Sequence, residues 1–500
     1  MRKNWLIWAS GLAVFLMMFL FYTEAHPIVM YDADDWKGMA TQRVVAFPKW
    51  GDHNPIKVLP ETVMPLVGMV AGYVVTPFIG DYVTAVTVTA ALVLSLVIAV
   101  YIALFIAVCR KCFNLPDWAA ACLGMIFLAF HFLALRHATA YNMYLLFSVN
   151  LTCYFNYTIP LLWTGSLIFY FLLKPISGNY SPKGDSGHDV CLVFLIYLAI
   201  FSNILHSIIL IAFVMSDLAL NLRRFLKERG SLKLWKEFCS GQKFWLGMIV
   251  LWLVSLLFES TGGRANQMAA DSIALVIGNL AGIILQPNKG IYILVSCGIL
   301  FGAGAIYTYV RRRKANALGE TDRFFCDGCS RFGLSALIWI FFVTPVCSVA
   351  GAHYMSRIDV VCGLFFYILL LILWPLAYLL AEKTNFRFVL PVLLLVIACR
   401  TINTEQPMRD STIFGIPPQN CAAVTRDIIG AIKAADAAGA DSVNLHVPKG
   451  FMSMDNNWPI SVTAGEDMSC LLYGYGQISR PINVIIVPDE SLNLRYHIPR

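Results

Sequence analysis

The chain has 500 residues, of which 58% are hydrophobic and only 13% charged, with a mean hydropathy of +0.68. That balance excludes an ordinary soluble domain, where about a quarter of residues carry charge. The net charge of +7 comes from short Lys/Arg clusters between apolar runs, the positive-inside distribution of a membrane protein, so no nucleic-acid partner is implied.

In chain order, Met1-Arg-Lys3 precedes an apolar run over 5–22. The bulky, charged Thr23-Glu-Ala-His-Pro27 offers no small-residue cleavage site, so the run reads as a retained first membrane helix. Beyond it, the external loop 23–82 opens with Tyr31-Asp-Ala-Asp-Asp-Trp36. A carboxylate pair beside a membrane is costly to keep ionised, which points to chemistry or cation binding at Asp34 and Asp35. The competing expectation is that the pair is the N-terminal charge of a helix beginning near Trp36.

The stretch 59–80 is apolar but carries Pro60, Pro65 and Pro77, and a crossing there would invert every later basic cluster. It is therefore expected to lie in the outer interface, as is 271–287. Membrane-length runs follow at 83–108, 118–135, 158–174, 189–205, 207–222, 244–258, 290–310, 333–350, 360–381 and 387–400. With the first helix they make about eleven crossings, each near the length needed to span ~30 Å of hydrocarbon. Arg110-Lys111, Arg223-Arg224, Arg311 to Lys314, and Lys383 with Arg387 then fall on the cytoplasmic side, with the C-terminus outside.

Outer positions along these runs include Asn150, Asn156, Asn203, His206, Glu259, Arg264, His353, Arg357 and Arg400. Asn150-Leu-Thr152 and Asn156-Tyr-Thr158 fit the glycosylation pattern but lie beside a span, and are read as cavity-lining amides. Arg264 and Arg357 are candidate phosphate ligands, with snorkelling anchors as the other reading, and Arg400 is read as an anchor. His53, His206 and His353 share no ligand spacing, so no metal site is assigned to them.

Cys109-Arg-Lys-Cys112 and Cys326-Asp-Gly-Cys329 read either as a shared structural zinc site or as unrelated thiols in a cysteine-rich membrane chain. After Arg400 the apolar runs stop. Helical spacing over Ala422–Ala438 and strands at Ser442–Val447 and Val484–Val487 predict a small extracytoplasmic α/β domain over 401–500. Its thiols, Cys421 and Cys470, are either bridged or free.

The first membrane helix, the external loop with its early acidic pair, the many spans and the terminal outer domain together resemble the GT-C superfamily of integral-membrane glycosyltransferases. Asp34-Asp35-Trp36, His53-Asn54-Pro55, Lys57-Val-Leu-Pro-Glu61 and Asn156-Tyr-Thr-Ile-Pro160 look specifically like bacterial members that decorate surface polysaccharides. The resemblance implies a GT-C-like catalytic module over 1–400. It also implies transfer of a sugar from a polyprenyl-phosphate carrier to a hydroxyl of a surface polysaccharide or other glycan, with inversion, on the outer face of the plasma membrane.

In that scheme Asp35 or Asp34 is the base, and His53, Asn54, Lys57, Asn156, His206, Arg264 and Arg357 are the expected substrate-binding residues. The resemblance leaves metal dependence open, since some members use a divalent ion and Asp34-Asp35 with His53 offers hard oxygen ligands. A lipid-linked glycan polymerase or ligase, and a secondary transporter, are the competing functions. Against the transporter, charge collects at the outer rim and the chain has no two matching halves.

Overall fold

A computed structural model describes residues 5–40, 57–133, 146, 150–174, 187–228, 236, 238–260, 270–285, 289–402, 416–450 and 456–498. Among them, nine helical stretches are long and apolar enough to cross a membrane: Trp5–Ala25, Val58–Ile79, Tyr82–Phe113, Leu151–Leu173, Ile204–Lys227, Lys243–Ser260, Gly290–Lys314, Glu320–Ala350 and Ile358–Glu382. Shorter apolar helices occupy Asp117–Leu133, Gly187–Ile200, Ile273–Leu285 and Thr384–Cys399. The protein is thus a helical, multi-pass membrane protein. Of the eleven runs expected to cross, eight form long helices and three form the shorter helices at 117–133, 187–200 and 384–399, whereas 58–79, expected in the interface, meets the length and hydropathy of a span.

The Ile358–Glu382 helix is the centre of the bundle, with 89% of its apolar stretch buried, against 17% for Trp5–Ala25 at the periphery. Its approach to Glu320–Ala350 is set by two glycine–tryptophan contacts of opposite sense. Gly363 lies against Trp339, and Gly328 against Trp374, with no room for a β-carbon at either glycine. Small residues let helix backbones close up where no hydrophobic force separates protein from lipid.

Ion pairs gather one end of the bundle. Arg312 joins Asp322 at 3.1 Å and also Glu382, while Arg224 joins Asp327 at 2.7 Å and Arg110 joins Asp117 at 2.8 Å. The basic clusters after Tyr82–Phe113, Ile204–Glu228 and Lys289–Lys314 therefore sit at a common face. Cys109, Cys112, Cys326 and Cys329 belong to the helices Tyr82–Phe113 and Glu320–Ala350 and are free thiols.

Residues 416–498 form the expected α/β pattern. Helix Pro418–Ala437 leads to strand β1, Ser442–Pro448, which pairs in parallel with β2, Asn483–Asp489, placing Leu445 opposite Ile486. Helix Gly465–Gly474 supplies the crossover between them. Cys421 is buried and Cys470 exposed, and no disulfide joins them.

Candidate functional site

The acidic segment folds as the start of the short helix Ala33–Ala40. Asp32 caps it, since Asp32 Oδ1 accepts the Asp34 N–H at 2.8 Å. Asp35 reaches back, its Oδ2 accepting the N–H groups of Tyr31 and Asp32 at 3.0 and 3.1 Å. This reciprocal arrangement is a capping box, with aspartate at both ends. Helix-terminal charge was one of the two readings of the pair, and it describes Asp35 well.

Asp35 is also bolted to the neighbouring helix. Its Oδ1 accepts the Thr152 N–H at 2.7 Å and the Thr152 hydroxyl at 2.8 Å, at the first turn of Leu151–Leu173. Both oxygens of the fully buried Asp35 thus hold two donors each, the full capacity of a carboxylate. Asp32 is equally buried, and its Oδ2 has no hydrogen-bond partner among the described residues. Burial pushes both carboxyls above the ordinary range; the charge of Asp35 pushes Asp32 further, while the Tyr31 and Thr152 donors pull Asp35 back. Burial thus biases both carboxyls toward the protonated form.

Asp34 differs from both. It is exposed, and it lines a cavity of about 680 Å³ at the end of the bundle opposite the Arg312 ion pairs. Lys57, Asn156, Asn203, Glu259 and Arg357 line the same cavity. Lys57 stands at the head of helix Val58–Val70 with φ at 56°. Asn156 donates to the Thr152 carbonyl at 3.0 Å, and Asn203 donates to the Asn156 carbonyl at 2.9 Å, so the amides are locked in place.

Arg357 precedes the central helix and is held as a flat, fixed cation. Its Nε and Nη2 donate to the two oxygens of Asp359 at 3.0 and 2.6 Å, and its guanidinium lies 4.8 Å from the Tyr157 ring centre and 5.5 Å from that of Tyr354. One apolar stretch of the cavity wall is formed by Trp252, Leu253, Leu256 and Leu257 on one helix and Phe342, Val346 and Val349 on another. Leu253, Leu257 and Val349 are exposed. A polar, charged mouth therefore continues into a hydrocarbon-like slot.

Of the expected site residues, Asp34, Lys57, Asn156 and Arg357 converge on this cavity. His206 does not line it: the side chain is fully buried behind Tyr157, with Nε2 on the Asp359 carbonyl at 3.0 Å and near Cys362 Sγ at 3.3 Å. His53, Asn54 and Arg264 lie outside the described residues. Asn150 is a cap, its Oδ1 accepting the Cys153 N–H at 2.8 Å, and not a cavity amide.

Sequence reasoning missed Asp359, which orients Arg357, and the D-x-x-D spacing of Asp32 and Asp35, which carried the capping signal all along. As to a metal ion, no group of three or more His, Cys, Asp or Glu side chains among the described residues is arranged to hold one. Of the residues expected to hold one, His53 lies outside the described residues, and both oxygens of Asp35 are already hydrogen-bonded.

The fold and this cavity define a multi-pass membrane protein with a charged pocket at one end of its helical bundle. The chain matches no protein-family model, no curated protein and no solved structure.

Proposed function

We propose that the protein is an inverting glycosyltransferase of GT-C type that moves a sugar from a polyprenyl-phosphate carrier to a hydroxyl of a cell-surface glycan. The carrying observation is the composition of the cavity: Asp34, exposed and with no side-chain hydrogen bond among the described residues, lines it together with Glu259, the cations Lys57 and Arg357, and apolar side chains. A lipid phosphate has this polarity, with an anionic head and a hydrocarbon tail.

In the reaction the acceptor O–H gives its proton to the Asp34 carboxylate as its oxygen bonds to the anomeric carbon. The bond from that carbon to the phosphate oxygen breaks, and its electron pair leaves with the polyprenyl phosphate. Lys57 and Arg357 stabilise the charge growing on the departing phosphate. A single displacement inverts the anomeric centre.

The two ends of the bundle support one orientation in the plasma membrane. The gathered basic clusters belong to the cytoplasmic face, as does the N-terminus, so the cavity and residues 416–498 belong outside. Eleven crossings satisfy this arrangement, with Val58–Ile79 in the outer interface. Its packing supports that placement, because Gly68 and Gly72 touch Tyr475 of the polar C-terminal segment.

The test is transfer of labelled sugar from a panel of polyprenyl-phosphate hexoses by the reconstituted chain. Asp34→Asn is expected to lower turnover by about 10²–10⁴-fold, the span typical of a lost general base. Full activity in Asp34→Asn removes the base from Asp34. Coupled solute uptake that needs Asp34, with no sugar transfer, replaces the enzyme by a transporter.

A further inference from the structure

Residues 416–498 grip the acidic segment at three points. The Ala33 N–H donates to the Pro459 carbonyl at 2.9 Å, Thr425 Oγ1 donates to the Met30 carbonyl at 2.6 Å, and the Tyr475 hydroxyl donates to the Met39 carbonyl at 2.6 Å. An eight-residue helix such as Ala33–Ala40 is too short to hold its own geometry, so its direction is set by what it is tied to.

Tyr475 has a second partner. Its hydroxyl also lies 3.1 Å from the Pro65 carbonyl, in the helix Val58–Val70 that begins directly after Lys57. One buried hydroxyl therefore bridges the helix that carries Asp34 and the helix that carries Lys57. The bridge is closely fitted: a β-carbon at Gly68 would lie 2.7 Å from Tyr475 Cε2, and one at Gly72 would lie 2.7 Å from the Tyr475 carbonyl oxygen.

Resting on the glycosyltransferase assignment above, we propose that Tyr475 is a positioning residue for the reaction, fixing the Asp34 carboxylate relative to the Lys57 ammonium by tying their two helices together. The C-terminal segment thereby acts on catalysis without touching the sugar. Misplacement of a reacting group by about 1 Å costs up to about 10²-fold in rate, so loss of one such tie is enough to be read.

The experiment uses Tyr475→Phe in the full chain, which keeps the ring and removes the hydroxyl. With a polyprenyl-phosphate hexose that the wild type turns over, kcat is expected to fall about tenfold while KM for the donor stays within about twofold. Amide hydrogen exchange is expected to quicken across 33–40 and not across the bundle. In an Asp34→Asn background the same substitution is expected to have no further effect on the residual rate, since a displaced base that is already absent cannot be lost again.

Exchange over 33–40 that matches wild type overturns the proposal, and so does an equal fall in rate in both backgrounds, which marks simple loss of folded enzyme. Thr425→Val, which removes the bond to Met30, provides the same signature should Tyr475→Phe fail to accumulate. A wild-type chain inert toward every donor sinks the glycosyltransferase assignment, and exchange over 33–40 then decides separately whether Tyr475 holds the acidic helix.

Discussion

Asp32, Asp34 and Asp35 are one residue type in three environments, and they respond differently to substitution. Asp35→Ala strands the N–H groups of Tyr31, Asp32 and Thr152 and is expected to lower stability by about 2–4 kcal/mol, read as a lower Tm in detergent. Asp34→Asn, by contrast, is expected to leave Tm unchanged while lowering transfer about 10²–10⁴-fold, because no buried donor among the described residues depends on its carboxylate.

Asp32 makes stability depend on pH. Its folded-state carboxyl is raised above the ordinary value, so its contribution is fully present below the unfolded carboxylate range near pH ~4 and is lost as pH climbs through the raised value. Asp32→Asn keeps an oxygen for the Asp34 N–H and removes the titrating group. The Tm of the variant minus that of wild type is therefore expected to grow as pH rises from about 4 toward neutrality, and a flat difference refutes a raised Asp32 carboxyl in the folded state.

Arg357→Lys retains charge but loses the two-pronged grip of Asp359, and KM for the lipid donor is expected to rise about tenfold. At this scale the sequence pointed to the acidic pair as a candidate site. Which member faces the cavity depended on Thr152, more than a hundred residues away in the chain, filling the lone pairs of Asp35.

Among the elements, Val58–Ile79 separates composition from location. By length and hydropathy it is a span, Pro65 lies inside its helix, and its Gly68 and Gly72 pack against Tyr475. Gly72→Ala places a β-carbon 2.7 Å from a backbone oxygen and 2.9 Å from Tyr475 Cβ, neither of which moves easily. A loss of about 1–3 kcal/mol is expected, measurable as a lower thermal midpoint, and an unchanged midpoint shows that the contact does not bear on stability.

The helices themselves were legible, because an apolar run long enough for a bilayer leaves a chain no other way to satisfy its backbone. The strands at 442–448 and 483–489 were legible too, from short apolar or alternating runs between turns. Among the described residues, the runs near 118, 189 and 387 lie in the helices Asp117–Leu133, Gly187–Ile200 and Thr384–Cys399.

For the molecule as a whole, the ion-paired basic end and the cavity end give it two chemically distinct poles. On intact cells a membrane-impermeant maleimide is expected to label the exposed Cys470, and Cys470→Ser to remove most of that labelling. Labelling confined to permeabilised cells inverts the orientation and puts the cavity in the cytoplasm.

What the sequence by itself determined is the membrane class, the alternation of basic clusters and the acidic segment, because hydropathy and charge act locally and are written in composition. The tertiary structure decided which carboxylate is free, that His206 stands behind the cavity and not in it, that Cys421 and Cys470 stay apart, and that the C-terminal segment clamps the acidic helix. Each of those turns on a hydrogen bond or a contact between residues remote in the chain, and such partners are chosen only when the helices pack.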